Sequence, residues 1–294
     1  MDKRALVIVN PRAGTRKSRR DMFEIVDRLS QEGYSVAAQT TTKSGDATEF
    51  VEKYGENQDL IVCCGGDGTL NEVINGLVNK KLTAPLGYVP AGTTNDFART
   101  LQLPKKAEKS MDRILSGYPH SYDMGSFNGR KFTYIASLGA FTKVSYSTPQ
   151  KIKNVLGHTA YLLEGVKEIG SLAPFKATFI ANDEVYDGEF IFGAVSNSTS
   201  IAGLFKLNKL DVRLDDGEFE LILIRNPKNM ADLSGILQGI VQGRYDPRYV
   251  VFTHAKEIEF RSERPLPWTL DGESGGEHTE VKISILRHAI KIIM

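Results

Sequence analysis

The chain has 294 residues and a formal net charge of +1, room for one large or two ordinary domains, and a balance that excludes a global field drawing it to nucleic acid. Its two cysteines, Cys63 and Cys64, are adjacent in an apolar run, so they face opposite sides of a strand and pack rather than bridge, as in a reducing cytosol. No apolar run approaches the ~18 residues of a membrane span, and the apolar stretch at Ala5–Val9 is too short for a signal peptide.

Ala5–Val9 predicts a buried strand that runs into the turn Asn10-Pro11-Arg12-Ala13-Gly14. A basic cluster follows (Arg12, Arg16, Lys17, Arg19, Arg20), either a solvated helix face or a cationic rim around phosphates, on a helix with Met22, Ile25, Val26 and Leu29 on one side. Tyr34–Thr42 alternates as a strand, and Ser44-Gly45-Asp46 offers helix caps before Ala47, Phe50, Val51 and Tyr54. Asp59–Cys64 is the next strand, and Leu70, Val73, Ile74, Leu77 and Val78 keep the one-face spacing of a helix. Between them Gly65-Gly66-Asp67-Gly68-Thr69 turns a strand into a helix N-terminus, where unpaired N–H groups and the helix dipole favour an anion such as phosphate. Asp67 is out of place beside a phosphate unless a divalent cation or a proton donor stands between them. Pro85–Val89 is a fourth strand, closing in Pro90-Ala91-Gly92-Thr93-Thr94-Asn95-Asp96 and a short helix through Phe97, Ala98 and Leu101. This repeated strand–turn–helix order predicts a parallel sheet with its loops gathered at one edge, where open α/β sheets bind ligands.

Past Asp123 the rhythm changes. Phe132–Ile135, Phe175–Ala181, Glu184–Val195, Lys209–Leu214, Phe219–Arg225, Glu257–Ser262 and Glu280–Leu286 are strand-like, with helices near Leu156–Ile169 and Met230–Gln242. Asp215-Asp216-Gly217 predicts a hairpin between Leu210–Leu214 and Phe219–Leu223. Leu270-Asp271-Gly272-Glu273 sets two carboxylates two residues apart, an acidic surface loop or a source of a base for a hydroxyl nucleophile. Histidines and cysteines show no zinc spacing, and neither a Walker-type loop nor a Gly-x-Ser-x-Gly elbow is present.

Asn10–Gly14, Gly65–Glu72, Pro90–Arg99 and Leu270–Glu273 stand in the order found in diacylglycerol-kinase-type lipid kinases, and the chain resembles that family over essentially its whole length, most of all its soluble bacterial members. NAD kinases share Gly-Gly-Asp-Gly-Thr, but the Asn-Pro-x-x-Gly start, the Gly-Thr-x-Asn-Asp-Phe-Ala-Arg segment and the late Asp-Gly-Glu separate the two. The resemblance implies an N-terminal Rossmann-like nucleotide-binding α/β domain (1–128, to which 287–294 can return). It implies a C-terminal antiparallel β-sandwich-like domain (129–286) for the lipid, with the active site in the cleft. By position, ATP would lie against Asn10, Pro11, Arg12, Ala13, Gly14, Thr41, Gly66, Asp67, Gly68, Thr69, Leu70, Asn71, Glu72 and Thr93. Asp67 and Asp96 would join an acidic network with Asp123, and Glu273 or Asp271 would be the base. Mg²⁺ would sit in the loop of Arg213, Asp216 and Glu218, through one carboxylate and backbone oxygens.

The implied reaction moves the ATP γ-phosphate to the hydroxyl of diacylglycerol, giving phosphatidic acid. Sphingoid, ceramide-like and phosphatidylglycerol acceptors, an NAD kinase and a catalytically silent nucleotide-binding regulator are the alternatives. The four acids Asp67, Asp96, Asp271 and Glu273 argue against the last. The expected setting is cytoplasmic with peripheral membrane contact, Lys151, Lys153 and Lys167 lying near the predicted amphipathic helix Leu156–Ile169. Homodimerisation is an expectation of the resemblance.

Overall fold

The computed structural model describes residues 3–14, 18–93, 95–139, 174–198, 200–201, 205–206 and 212–294. The chain divides into two units, Met1–Met124 with Leu286–Met294, and Gly125–Ile285.

The first unit alternates β1 (Lys3–Val9), α1 (Ser18–Gln31), β2 (Tyr34–Thr40), α2 (Asp46–Tyr54), β3 (Leu60–Gly65), α3 (Asp67–Asn79) and β4 (Leu86–Pro90), then α4 (Asp96–Thr100), α5 (Ala107–Ser116) and the start of β5 (Pro119–Phe127). Its strands run parallel in the order β2-β1-β3-β4. The apolar runs of β1 and β3 are buried along nearly their whole length because helices cover both faces. On one face Val7, Val9, Val62, Cys64 and Val89 pack with Ile25 and Leu29 of α1 and Met111 and Ile114 of α5. Both cysteines are free and buried, and burial pushes the Cys64 thiol up to about 12. The unit is completed from the far end of the chain, where Ile292 lies parallel to β4 opposite Leu86.

The second unit holds β6 (Arg130–Phe132), β7 (Ile135–Gly139), β8 (Phe175–Ala181), β9 (Glu184–Ser196), the short pair β10 (Ser200–Ile201) and β11 (Phe205–Lys206), β12 (Phe219–Arg225), α6 (Met230–Gln242), β13 (Val250–Ala255), β14 (Glu257–Leu270) and most of β15 (Glu273–Ile293). Its pairings are antiparallel. The long strands β9 and β14 each pair with β8 at one end and with β7 at the other, so β7-β9-β8-β14 close a circuit. Phe179, Phe190, Phe260 and Trp268 fill its core, with edge-to-face contacts at 5.1–5.5 Å between Phe179 and Phe190 and between Phe260 and Trp268.

Several elements depart from the predicted ones, and α5, β5 and β13 are not predicted at all. The strand expected through Thr42 ends at Thr40, because Thr42 and Lys43 turn to donate their amides to the Asp46 carboxylate (2.7 and 3.0 Å). The strand expected at Phe132–Ile135 is broken into β6 and β7, because the amides of residues 133–135 donate to Asp271. Val212–Leu214 are not a strand, while the rest of that predicted hairpin arm and the helix Leu156–Ile169 with its lysines lie outside the described residues. Among the described residues no helix is long and apolar enough to cross a membrane.

Ile292 is 0% exposed, so Ile292→Asp forces a charge into the first unit's core. The melting temperature will fall by about 10 °C, as several kcal/mol at ~2–4 °C per kcal/mol requires, whereas Lys291→Asp on the exposed neighbour will change it little in the same thermal melt.

Candidate active site

In the first unit the loops after β1, β3 and β4 meet at the carboxyl edge of the sheet. Asn10 receives the turn first: its amide donates to Cys64 O (2.9 Å), its Nδ2 to Thr69 Oγ1 (3.0 Å), and its Oδ1 accepts the Arg12 amide (3.0 Å). Asn10 therefore ties the Pro11-Arg12-Ala13-Gly14 turn to the glycine loop. The Ala91 amide donates to Gly65 O (2.8 Å), fastening the third loop to the second. Glycine is required where these backbones touch. Gly14 has φ +55°, and a Cβ there would stand 2.2 Å from Ala91 O; a Cβ on Gly92 would stand 2.6 Å from Gly66 Cα.

The loop after β2 joins these loops through Thr41, which is buried and whose amide donates to Val9 O (2.9 Å). Asp46 accepts the Thr42 amide and hydroxyl and the Lys43 amide, and these donors hold its carboxyl below the usual carboxylate range. Thr93 is exposed at the rim, as are Arg12 and Gly68.

Helix α3 supplies the acids that hold this arrangement. Asp67, its first residue, accepts the amides of Asp96 (3.0 Å) and Phe97 (3.2 Å), capping the N-terminus of α4. Glu72 accepts the amides of Gly45 (2.8 Å) and Ala47 (3.1 Å) and the Ser44 hydroxyl (3.1 Å), capping α2. Asp96 lies 3.5 Å from Arg99 Nη1, and Asn95, in left-handed conformation, accepts the Gly92 amide (3.0 Å) and donates to Gly92 O (2.8 Å). The N-cap of α3 itself is Gly66, which has no side chain, so nothing on that residue stands between the backbone at the positive end of the helix dipole and the loops around it. A glycine-started helix N-terminus of this kind favours an anion.

Not every residue of the glycine motif faces this site. Leu70 is 1% exposed, its side chain turned into the core. Asn71 is turned along the helix, accepting from Asn75 Nδ2 at 2.8 Å. Glu72 is turned onto α2 by the bonds above.

In the second unit, Asp271 (φ +47°) and Gly272 (φ +89°) form the two-residue turn of the β14–β15 hairpin, with Leu270 opposite Glu273. The two acids part here. Asp271 turns back and accepts the amides of Thr133, Tyr134 (2.9 Å) and Ile135 (3.1 Å), while its own amide donates to Ile135 O (2.9 Å). Glu273 has a side chain 60% exposed and stands 3.9 Å from Arg130 Nη2.

The loop before β12 turns at Gly217 (φ +83°), with Asp216 Oδ1 accepting the Glu218 amide (3.0 Å) and Arg213 exposed. Glu220 lies inside the strand at 1% exposure, and burial, reinforced by Asp216, pushes its carboxyl up to about 8. A lone acid in the apolar run Phe219–Arg225 was the available signal for it. Among the described residues no three His, Cys, Asp or Glu side chains converge as a metal cage. The loop offers the Asp216 carboxylate, an oxygen donor of the kind Mg²⁺ takes alongside its retained waters.

The model of the diacylglycerol kinase catalytic domain matches residues 4–127, and that of the YegS C-terminal NAD kinase beta sandwich-like domain matches residues 136–294. Diacylglycerol kinases of Staphylococcus aureus strains RF122 / ET3-1 and JH9 are 35% identical over 290 residues, 98% of this chain and 91% of theirs. A diacylglycerol kinase crystal structure from Bacillus anthracis (strain Sterne) superposes at a TM-score of 0.76 and 22% identity, over 99% of this chain and 96% of that one. A second structure from the same organism does so at 0.81 and 24%, over 99% and 95%, and both carry the fold.

Gly92→Ala puts a Cβ against Gly66 where backbone must move, a strain of about 1–3 kcal/mol at the anion site. Titration with a fluorescent ATP analogue will show affinity falling roughly tenfold or more. Glu72→Ala, which uncaps α2, will lower the melting temperature by about 2–8 °C, the ~1–2 kcal/mol of a lost cap at ~2–4 °C per kcal/mol.

Proposed function

The chain belongs to the diacylglycerol kinase family and is an ATP-dependent lipid kinase, and from that premise we propose that its acceptor is diacylglycerol and its product phosphatidic acid. The observation that carries the nucleotide half is the α3 N-terminus, which opens on glycine and is ringed by loops whose glycines leave no side chain between backbone and phosphate. In this reading Asn10–Gly14, Thr41, Gly66–Thr69 and Thr93 bound the nucleotide. Asn10 and Thr69 keep two of those loops in register, and Asp67 fixes Asp96 by capping α4.

Phosphoryl transfer is mostly positioning and charge neutralisation. The lipid hydroxyl oxygen bonds to the γ-phosphorus as the bond from that phosphorus to the bridging oxygen of ADP breaks, and the hydroxyl proton goes to a carboxylate. Glu273 fits that role better than Asp271, whose oxygens are committed to the amides of residues 133–135. Mg²⁺, when bound, would neutralise phosphate charge or stiffen the 213–218 loop. The protein's part there is the Asp216 carboxylate with the backbone oxygens of Arg213 and Glu218. A bilayer acceptor brings the chain to a membrane surface as a peripheral enzyme.

A panel of diacylglycerol, ceramide, sphingosine and phosphatidylglycerol with Mg²⁺ and radiolabelled ATP will label diacylglycerol most efficiently by kcat/KM; a higher value for any other lipid would overturn the acceptor assignment. Glu273→Gln will cut kcat by ~10²–10⁴ while the KM for ATP stays within about twofold. Loss of ATP affinity with kcat intact would place Glu273 in nucleotide binding instead.

A further inference from the structure

Two hairpins of the second unit are built alike. The β5–β6 turn is Asn128 (φ +48°) and Gly129 (φ +87°), with Phe127 opposite Arg130; the β14–β15 turn is Asp271 and Gly272, with Leu270 opposite Glu273. Arg130 and Glu273 therefore occupy the same place, the first strand residue after a two-residue turn. The turns are pinned independently. Asn128 exchanges bonds with Lys282 of β15, its amide donating to Lys282 O (3.0 Å) and its Oδ1 accepting the Lys282 amide (2.8 Å), and its Nδ2 donates to Glu280 O (3.2 Å). Asp271 is pinned by residues 133–135.

The arginine is aimed, not merely near. Its Nη1 donates to Ser274 O at 2.7 Å, one residue past Glu273, and this fixed arm swings the other, Nη2, to 3.9 Å from Glu273 Oε2. Among the described residues Arg130 is the one cation within 4.0 Å of Glu273. At 3.9 Å the pair is too long for a hydrogen bond, so Glu273 keeps its acceptor capacity for an incoming proton donor. An exposed carboxylate with nothing to bias it would sample several rotamers, most of them unproductive, and a displacement of ~1 Å can cost ~10²-fold in rate.

We propose that Arg130 is a positioning residue for the phosphoryl transfer, holding the Glu273 carboxylate in the orientation from which it takes the lipid hydroxyl proton. The proposal rests on Glu273 being the base. It assigns Arg130 a function through Glu273 alone, with no contact to ATP.

A double-mutant cycle tests it on the full-length enzyme, with kcat and the KM for ATP measured for Arg130→Met, Glu273→Gln and both together. The expected result is a fall in kcat of about tenfold or more for Arg130→Met at a KM for ATP within about twofold of wild type. In the Glu273→Gln background the same substitution will change kcat less than about twofold, because the group it positions is gone. Arg130→Lys, which keeps the charge but not the forked reach, will recover part of the loss. An equal loss in both backgrounds, or wild-type kcat for Arg130→Met, would overturn the proposal while leaving Glu273 as base. Wild-type kcat for Glu273→Gln would instead overturn the base assignment and this inference with it. A melt of Arg130→Lys guards against a folding defect: if it melts as wild type yet shows the same kcat loss in both backgrounds, positioning of Glu273 is ruled out.

Discussion

The structure depends on carboxylates that spend their lone pairs on backbone amides. Asp67, Glu72 and Asp271 each accept two or more N–H groups from a segment distant in sequence. Such charge-assisted bonds are about twice as strong as neutral ones and fix direction as well as distance. Removing any of the three acids leaves several donors unsatisfied at once, which costs more than one contact would suggest. In the first unit the Asp67 and Glu72 clamps tie the starts of α4 and α2 to α3.

Asp67 and Glu72 show how one helix can organise two neighbours. They are five residues apart, ~140° around a helix of 3.6 residues per turn, and so project to different sides. One caps α4 and the other α2. Both targets are helix N-termini, where a carboxylate is favoured by the dipole and by the orphan amides. The third N-terminus, that of α3, carries glycine where a cap would be. An acid supplied there by the protein would compete with the phosphate. The carboxylates of Asp67 and Glu72 are thus directed to the ends of neighbouring helices, and the N-cap position of α3 is a glycine.

Much of this was legible in the sequence, and the failures have physical causes. β1, β3 and the core face of α3 were plain because their apolar residues follow the period of the element. Helix α5 was missed because Ala107–Ser116 buries only Ser110, Met111 and Ile114, and its charges hide that narrow stripe. The predicted strand Glu280–Leu286 is shorter than the 21-residue β15, because Gly275, Gly276 and the polar residues after them precede it and Arg287 and His288 follow it. Within the glycine motif, sequence alone could not separate residues that touch a ligand from residues that brace the loop. Contiguity places Leu70 and Glu72 beside the glycines; helical rotation sends one into the core and the other onto α2.

The same separation of duties holds at the Asp-Gly-Glu hairpin and bears on which carboxylate can move a proton. Asp271 occupies a left-handed conformation that costs an L-residue ~1 kcal/mol or more, and it is held there by the amides it gathers. A group so engaged would have to break its own fold contacts to accept a proton. Glu273, next but one, has the opposite character: a backbone fixed by the hairpin and a side chain reaching into solvent beside one arginine. A carboxylate that is to exchange a proton needs a rigid root and a reachable tip. In this motif Asp271 supplies the root and Glu273 the exposed carboxylate.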